Sequence, residues 1–194
     1  MKSHTNSQHI CGSNAAVNED LFTYNKVQKI FGKNPGVVKI LEPMDFAFNY
    51  FEFMIVSVGK ECALGIGVGS SDYPLDRMPG WNLNGIGYHA SDGKCFHQCG
   101  QGREFGPACT TGDRMGCGID FRSDDSSDSI NVFFTKNGEL VGDAVGVKMP
   151  AGGLYPLIGM CSEGEQVQYL GHWHFLPQTL KGMRTEISVS RLDS

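Results

Sequence analysis

Met115-Gly116-Cys117-Gly118-Ile119-Asp120-Phe121 sets its large side chains on odd positions and small or polar ones on even positions. A period of two is the signature of a strand with one buried face. Cys62-Ala63-Leu64-Gly65-Ile66-Gly67-Val68 repeats the device with the large residues on even positions. In both runs the glycines leave the second face open to close approach or sharp twist.

Outward from these two runs the same period recurs. Ile130, Val132 and Phe134 alternate with Asn131, Phe133 and Thr135, and Val167 and Tyr169 alternate with Gln166 and Gln168. Tyr50 to Val58 is apolar on both faces apart from Glu52 and Ser57, as a central strand should be. Leu21 to Tyr24, Val37 to Leu41 and Leu154 to Met160 are further strand candidates. Asn137-Gly138 between Phe133-Lys136 and Glu139-Val141 predicts a tight hairpin. Asp92-Gly93 divides Gly87-Ala90 from Lys94-His97 and predicts a second in the same manner. No window of a dozen residues carries an apolar stripe of helical period. Many short strands at this spacing predict an all-β sandwich or barrel with little or no helix.

The chain has 194 residues, 40% hydrophobic and 19% charged, which suits one globular domain with a substantial core. No internal repeat is present. A net charge of -5 without a Lys/Arg cluster offers no footprint for nucleic acid or an anionic membrane. No apolar run approaches the roughly 20 residues that span a bilayer. Met1 to Asn14 is polar and unlike a signal peptide. Seven scattered cysteines in such a chain fit reduced thiols and a cytoplasmic or nuclear location.

Chemistry-bearing clusters are sparse. Cys95, His97 and Cys99 would share one strand face, but they lack the paired Cys-x-x-Cys of a structural zinc site. His172 and His174 share a face without an evident third ligand. Asp124, Asp125 and Asp128 lie in a polar insert without the order of a calcium loop, and read as a solvated loop. There is no nucleophile elbow, His-Glu-x-x-His, phosphate loop or dinucleotide fingerprint. Gly65-x-Gly67-x-Gly69 sits inside a strand, where it cradles no phosphate. The expectation is a non-enzyme with no catalytic residues, no cofactor and no metal.

Several segments form an ordered series. They are Pro79-Gly80-Trp81, Gly85-Ile86-Gly87-Tyr88-His89-Ala90-Ser91-Asp92-Gly93-Lys94, and Gly112-Asp113-Arg114-Met115-Gly116-Cys117-Gly118-Ile119-Asp120. Phe133-Phe134-Thr135-Lys136-Asn137-Gly138, Leu154-Tyr155-Pro156 and Gly164-Glu165-Gln166-Val167 follow. The series resembles the SPRY family; the resemblance covers residues 18–175 and is strongest from Tyr50 to Tyr169. It implies a bent, concanavalin-like sandwich of two antiparallel sheets that binds a peptide segment or partner protein through its loops. Such modules often serve as adaptors, ubiquitin ligase adaptors among them. The chain shows no RING, B-box or cullin-recruiting segment, so a ligase link would come from elsewhere. The expected layout is a flexible segment at 1–17, the domain at 18–175, and a tail at 176–194 with a hint of an added strand at Ile187, Val189 and Leu192.

A sandwich holds its loops rigidly, and Tyr and Trp dominate interface hot spots. The expected partner-binding residues are Tyr73, Pro74, Arg77, Met78, Pro79 and Trp81 from one loop, with Cys161, Ser162 and Glu163 from another. For Trp81 and Tyr73 a framework role plugging the sandwich competes with contact. Tyr88 and His89 read as framework. The partner is a protein or peptide, bound by a monomer. A lectin-like carbohydrate binder on the same architecture is the alternative, and a purely structural domain the third reading.

Overall fold

The computed structural model describes residues 8–24, 35–122 and 129–173. Within them the strands are β1 (His9–Cys11), β2 (Ala15–Asn18), β3 (Leu21–Tyr24), β4 (Gly36–Ile40), β5 (Tyr50–Val58), β6 (Gly65–Gly69) and β7 (Gly85–His89). They continue with β8 (Lys94–His97), β9 (Arg103–Glu104), β10 (Arg114–Asp120), β11 (Ser129–Lys136), β12 (Glu139–Lys148), β13 (Tyr155–Met160) and β14 (Glu165–Trp173). Two seven-stranded sheets result, ordered β1-β4-β13-β6-β7-β8-β9 and β12-β11-β10-β5-β14-β3-β2. Neighbouring strands in both are antiparallel. This is the expected all-β sandwich.

The period-two runs explain its core. Leu64, Ile66 and Val68 point inward from the first sheet, while Met115, Cys117 and Ile119 point inward from the second, all fully buried. β5 lies between β10 and β14, and its Phe51, Phe53 and Ile55 join the same core. Tyr88 from the first sheet meets Phe134 from the second at 5.8 Å between ring centroids.

Asn137 and Gly138 both adopt positive φ, 54° and 85°, so Lys136 and Glu139 pair directly across a two-residue turn. The Asp92-Gly93 turn differs from its expectation. Tyr88 pairs with Cys95, which leaves a longer connection, and only Gly93 has positive φ. The cause is tertiary: Gly93 accepts a hydrogen bond from the Gly106 N–H at 2.9 Å, tying the turn to the segment after β9.

The expected flexible segment at 1–17 needs correction from residue 9 onward. β1 pairs with β4 and β2 pairs with β3, so this stretch supplies an edge strand to each sheet. Both strands are too short to show a period of their own: β1 forms on the distant β4, and β2 forms on β3 across the turn at Glu19-Asp20. The aspartates of the polar insert, His174 and the tail at 176–194 lie outside the described residues.

Candidate functional site

The glycine face of the first sheet positions the site. Gly67 and Gly69 of β6, Gly85 and Gly87 of β7 and Gly159 of β13 leave a hollow on its outer surface. Tyr73, Met78 and Pro79 of the segment from Ser70 to Asn84 fill that hollow. A Cβ on Gly85 would stand 2.3 Å from the Tyr73 ring, and one on Gly87 would stand 2.4 Å from the Pro79 carbonyl oxygen. On Gly159 it would meet Pro79 Cδ at 2.5 Å and Met78 Sδ at 2.8 Å. Tyr73 packs with Val37 and Leu157, which point outward between the inward residues of β4 and β13.

This packing divides the expected contact residues. Tyr73 and Met78 are each 2% exposed, and Pro79 is buried. The Tyr73 hydroxyl donates to the Met78 carbonyl at 2.7 Å and accepts the Asn82 N–H at 3.2 Å, and burial pushes the phenol up to about 12. The Pro79 carbonyl lies 2.9 Å from His89 Nε2, which donates to it. Burial holds His89 near 4, so its ring is neutral at physiological pH. Tyr73, Met78 and Pro79 therefore brace the loop from beneath and offer a partner no surface.

Trp81 is half-buried, 5.9 Å from the His89 ring and 6.3 Å from Phe96. The residue is only partly covered although its Nε1 is buried, so it serves as framework and rim together. Pro74 is partly exposed. Arg77 is exposed, 3.5 Å from the still more exposed Asp76.

The second expected loop, Cys161 to Gly164, joins β13 to β14. Ser162 is buried: its hydroxyl accepts the Glu61 N–H at 3.0 Å, so it too is framework. Glu165 Oε2 accepts the Cys161 and Ser162 N–H groups at 2.7 and 2.8 Å. Cys161 is partly exposed, and Glu163 is exposed with its carboxylate 2.6 Å from Lys60 Nζ. The Glu163 carbonyl also accepts the Lys60 N–H at 3.1 Å.

The turn joining β5 to β6 is therefore part of the site, and sequence reading missed it. Val58 pairs with Glu165 and Gly65 pairs with Gly159, so both turns stand at one end of the sandwich. Met78 and Pro79 touch the Gly159 position, which brings the apex of the long loop to that end as well. Lys60, Glu163 and Cys161 lie at that end, and the exposed Asp76 and Arg77 directly precede Met78 in the long loop, with Pro74 nearer its start. Each ion pair is solvent-exposed and weak, so its charges are open to a partner. A contact between residues about a hundred positions apart leaves no local signal in the sequence.

Of the metal candidates, Cys95 points into the core, whereas Cys99 lies beyond the end of β8 with its thiol 3.2 Å from the Gln101 carbonyl. His172 is enclosed by Phe48 at 4.0 Å and the Tyr169 hydroxyl at 2.8 Å. Among the described residues no cluster of three His, Cys, Asp or Glu is arranged to hold a metal ion.

A family model described as the SPRY domain matches residues 48–171, from just before β5 almost to the end of β14. The chain belongs to the SPRY family. Human SPRY domain-containing protein 3 is 42% identical over 126 residues, which cover 65% of this chain and 28% of that protein. Human Ran-binding protein 9 is 36% identical over 137 residues, 70% of this chain and 18% of that protein. This SPRY chain thus spans less than a third of the length of these relatives. A crystal structure of a human SPRY domain superposes with a TM-score of 0.74 at 36% identity, covering 84% of this chain and 96% of that one. The SPRY domain of human HERC1 shares the fold at 19% identity, with a TM-score of 0.59. SPRY domains are generally non-catalytic protein-interaction modules, and all three loops of the candidate surface fall inside the matched stretch.

Proposed function

We propose that this SPRY domain binds an extended segment of a partner protein at the end of the sandwich where the three loops meet. The observation that carries the reading is the split between braced and displayed residues. Tyr73, Met78, Pro79 and Ser162 are buried and fix the backbone, while Arg77, Glu163 and Lys60 stand exposed on it. A fixed backbone lowers the ordering cost of association. Opposite charges a few ångströms apart suit a polar segment bearing both signs, and they set specificity and association rate more than affinity.

The chain would act as a monomeric adaptor that contributes recognition to a larger assembly. Ran-binding protein 9 is named for a protein partner, which supports the class of ligand without naming this one. A reducing cytoplasmic or nuclear compartment suits Cys95, Cys109 and Cys117, which fill the core as buried free thiols.

The test is affinity capture from a cytosolic extract with wild type and an Arg77→Glu/Glu163→Lys double variant. A partner held by wild type and lost by the folded variant supports the reading. Equal retention moves the site elsewhere, and retention on immobilised glycans alone replaces the reading by the carbohydrate one.

A further inference from the structure

Among the described residues two buried side-chain polar atoms lack a hydrogen-bond partner, Trp81 Nε1 and Glu165 Oε1. Glu165 lies where the binding end is assembled. It is 0% exposed, and its other oxygen holds the Cys161–Gly164 turn through two backbone N–H groups. Gly59 packs so closely that a Cβ there would stand 2.9 Å from Glu165 Cγ. The same turn carries Ser162, which fastens Glu61, and Glu163, which fastens Lys60.

Both charge states of this carboxyl are imperfectly served. Ionised, it strengthens the two bonds to Oε2 and is favoured by the nearby Ala63 N–H, but it leaves charge on a dry Oε1 with no partner at hydrogen-bond geometry. Protonated, it avoids that cost and weakens the grip on the turn. The groups around it do not neutralise a charge. Tyr24 faces it from β3, and Lys60, Glu61 and Cys62 come from the turn before β6. Cys161 and Glu163 belong to its own turn. Lys60 is engaged with Glu163 at the surface, and Glu61 adds like charge. Burial outweighs the backbone N–H groups of Ser162, Cys161 and Ala63 and pushes the carboxyl up to about 7.

We propose that Glu165 is a proton-sensitive latch on the binding end: protonated, it keeps the Cys161–Gly164 turn closed, and its ionisation favours opening. Opening brings the carboxyl into water, where its ordinary value is near 4.5. The open fraction therefore rises about tenfold per pH unit through most of the interval between the two values, then levels off. Where this end is the partner site, as proposed above, retention of the partner weakens as pH rises towards and through neutrality.

The test needs no partner, so it stands apart from the binding reading. Native-state hydrogen exchange at the Cys161 and Ser162 amides, corrected for intrinsic pH dependence, gives opening constants from about pH 5 to pH 8. We expect a rise of at least about tenfold in wild type, none at the Cys117 amide of β10, and none at any of these in Glu165→Gln. Constants for Cys161 and Ser162 that stay level in wild type overturn the proposal. If the variant does not fold, carbon-13 titration of the wild-type carboxyl decides. A midpoint near 7 supports the latch, and one near the ordinary 4.5 overturns it.

Discussion

Tyr73, Met78 and Pro79 have the composition of a contact patch, yet they are buried against glycines. Residue type was legible in the sequence; which way each side chain turns was not, because that is set by strands far away. Tyr73→Ala should empty a buried aromatic site and orphan the Asn82 N–H, costing about 3–5 kcal/mol in denaturant unfolding. A loss below about 1 kcal/mol would contradict its bracing role. His89 and Glu165 make a second test, because burial moves them in opposite senses. His89 stays neutral to about 4, so its contribution is full above about 6.5 and is lost as pH falls through its folded value. Glu165 holds its proton to about 7, so its contribution is full below about 4.5 and is lost as pH rises through 7. The two windows overlap and the two effects offset. Relative to wild type, Glu165→Gln should gain about 3 kcal/mol between pH 4.5 and 7. His89→Gln should gain a similar amount as pH falls from 6.5 to 4. Parallel stability profiles for all three proteins would refute both assignments.

At the scale of elements, the glycines of β6, β7 and β13 were visible as a pattern, and the hollow they make was a consequence waiting for an occupant. Three strands that leave one face bare must receive something apolar, and the nearest rigid apolar segment is the long loop after β6. That inference was available from the sequence once the three strands were taken as neighbours; only pairing supplies that order. Gly87→Ala should therefore unseat the loop. Its Cβ would stand 2.4 Å from the Pro79 carbonyl, and backbone cannot yield as a side chain tip does. A loss of about 1–3 kcal/mol is expected, against a change within about 0.5 kcal/mol for Gly100→Ala, whose Cβ meets nothing within 4 Å. Thermal melts of the two variants check this, and equal melts would mean the loop is not seated on the sheet. The short edge strands β1 and β2 were not legible, because two or three alternations are too few to distinguish from a coil.

For the whole molecule, the sandwich, its central strand and its Asn-Gly hairpin followed from period and turn chemistry. The ordered signature resembled the SPRY family, and the chain belongs to it. The functional end was half legible. The loops at Arg77 and at Cys161–Glu163 stood out, whereas the Lys60 turn emerges only when β5 and β14 are paired. Since Lys60 and Glu163 form an exposed pair, breaking it should shift stability by no more than about 1 kcal/mol. Its effect should instead be felt in recognition. The central claim is that this end holds the partner, and quantitative affinity capture reads it most directly. Wild type is compared with Arg77→Glu/Glu163→Lys, with thermal melts alongside. The account predicts that the variant melts within a few degrees of wild type and retains less than about a tenth of the partner, a loss of about 1.4 kcal/mol or more. Full retention by a folded variant would contradict it.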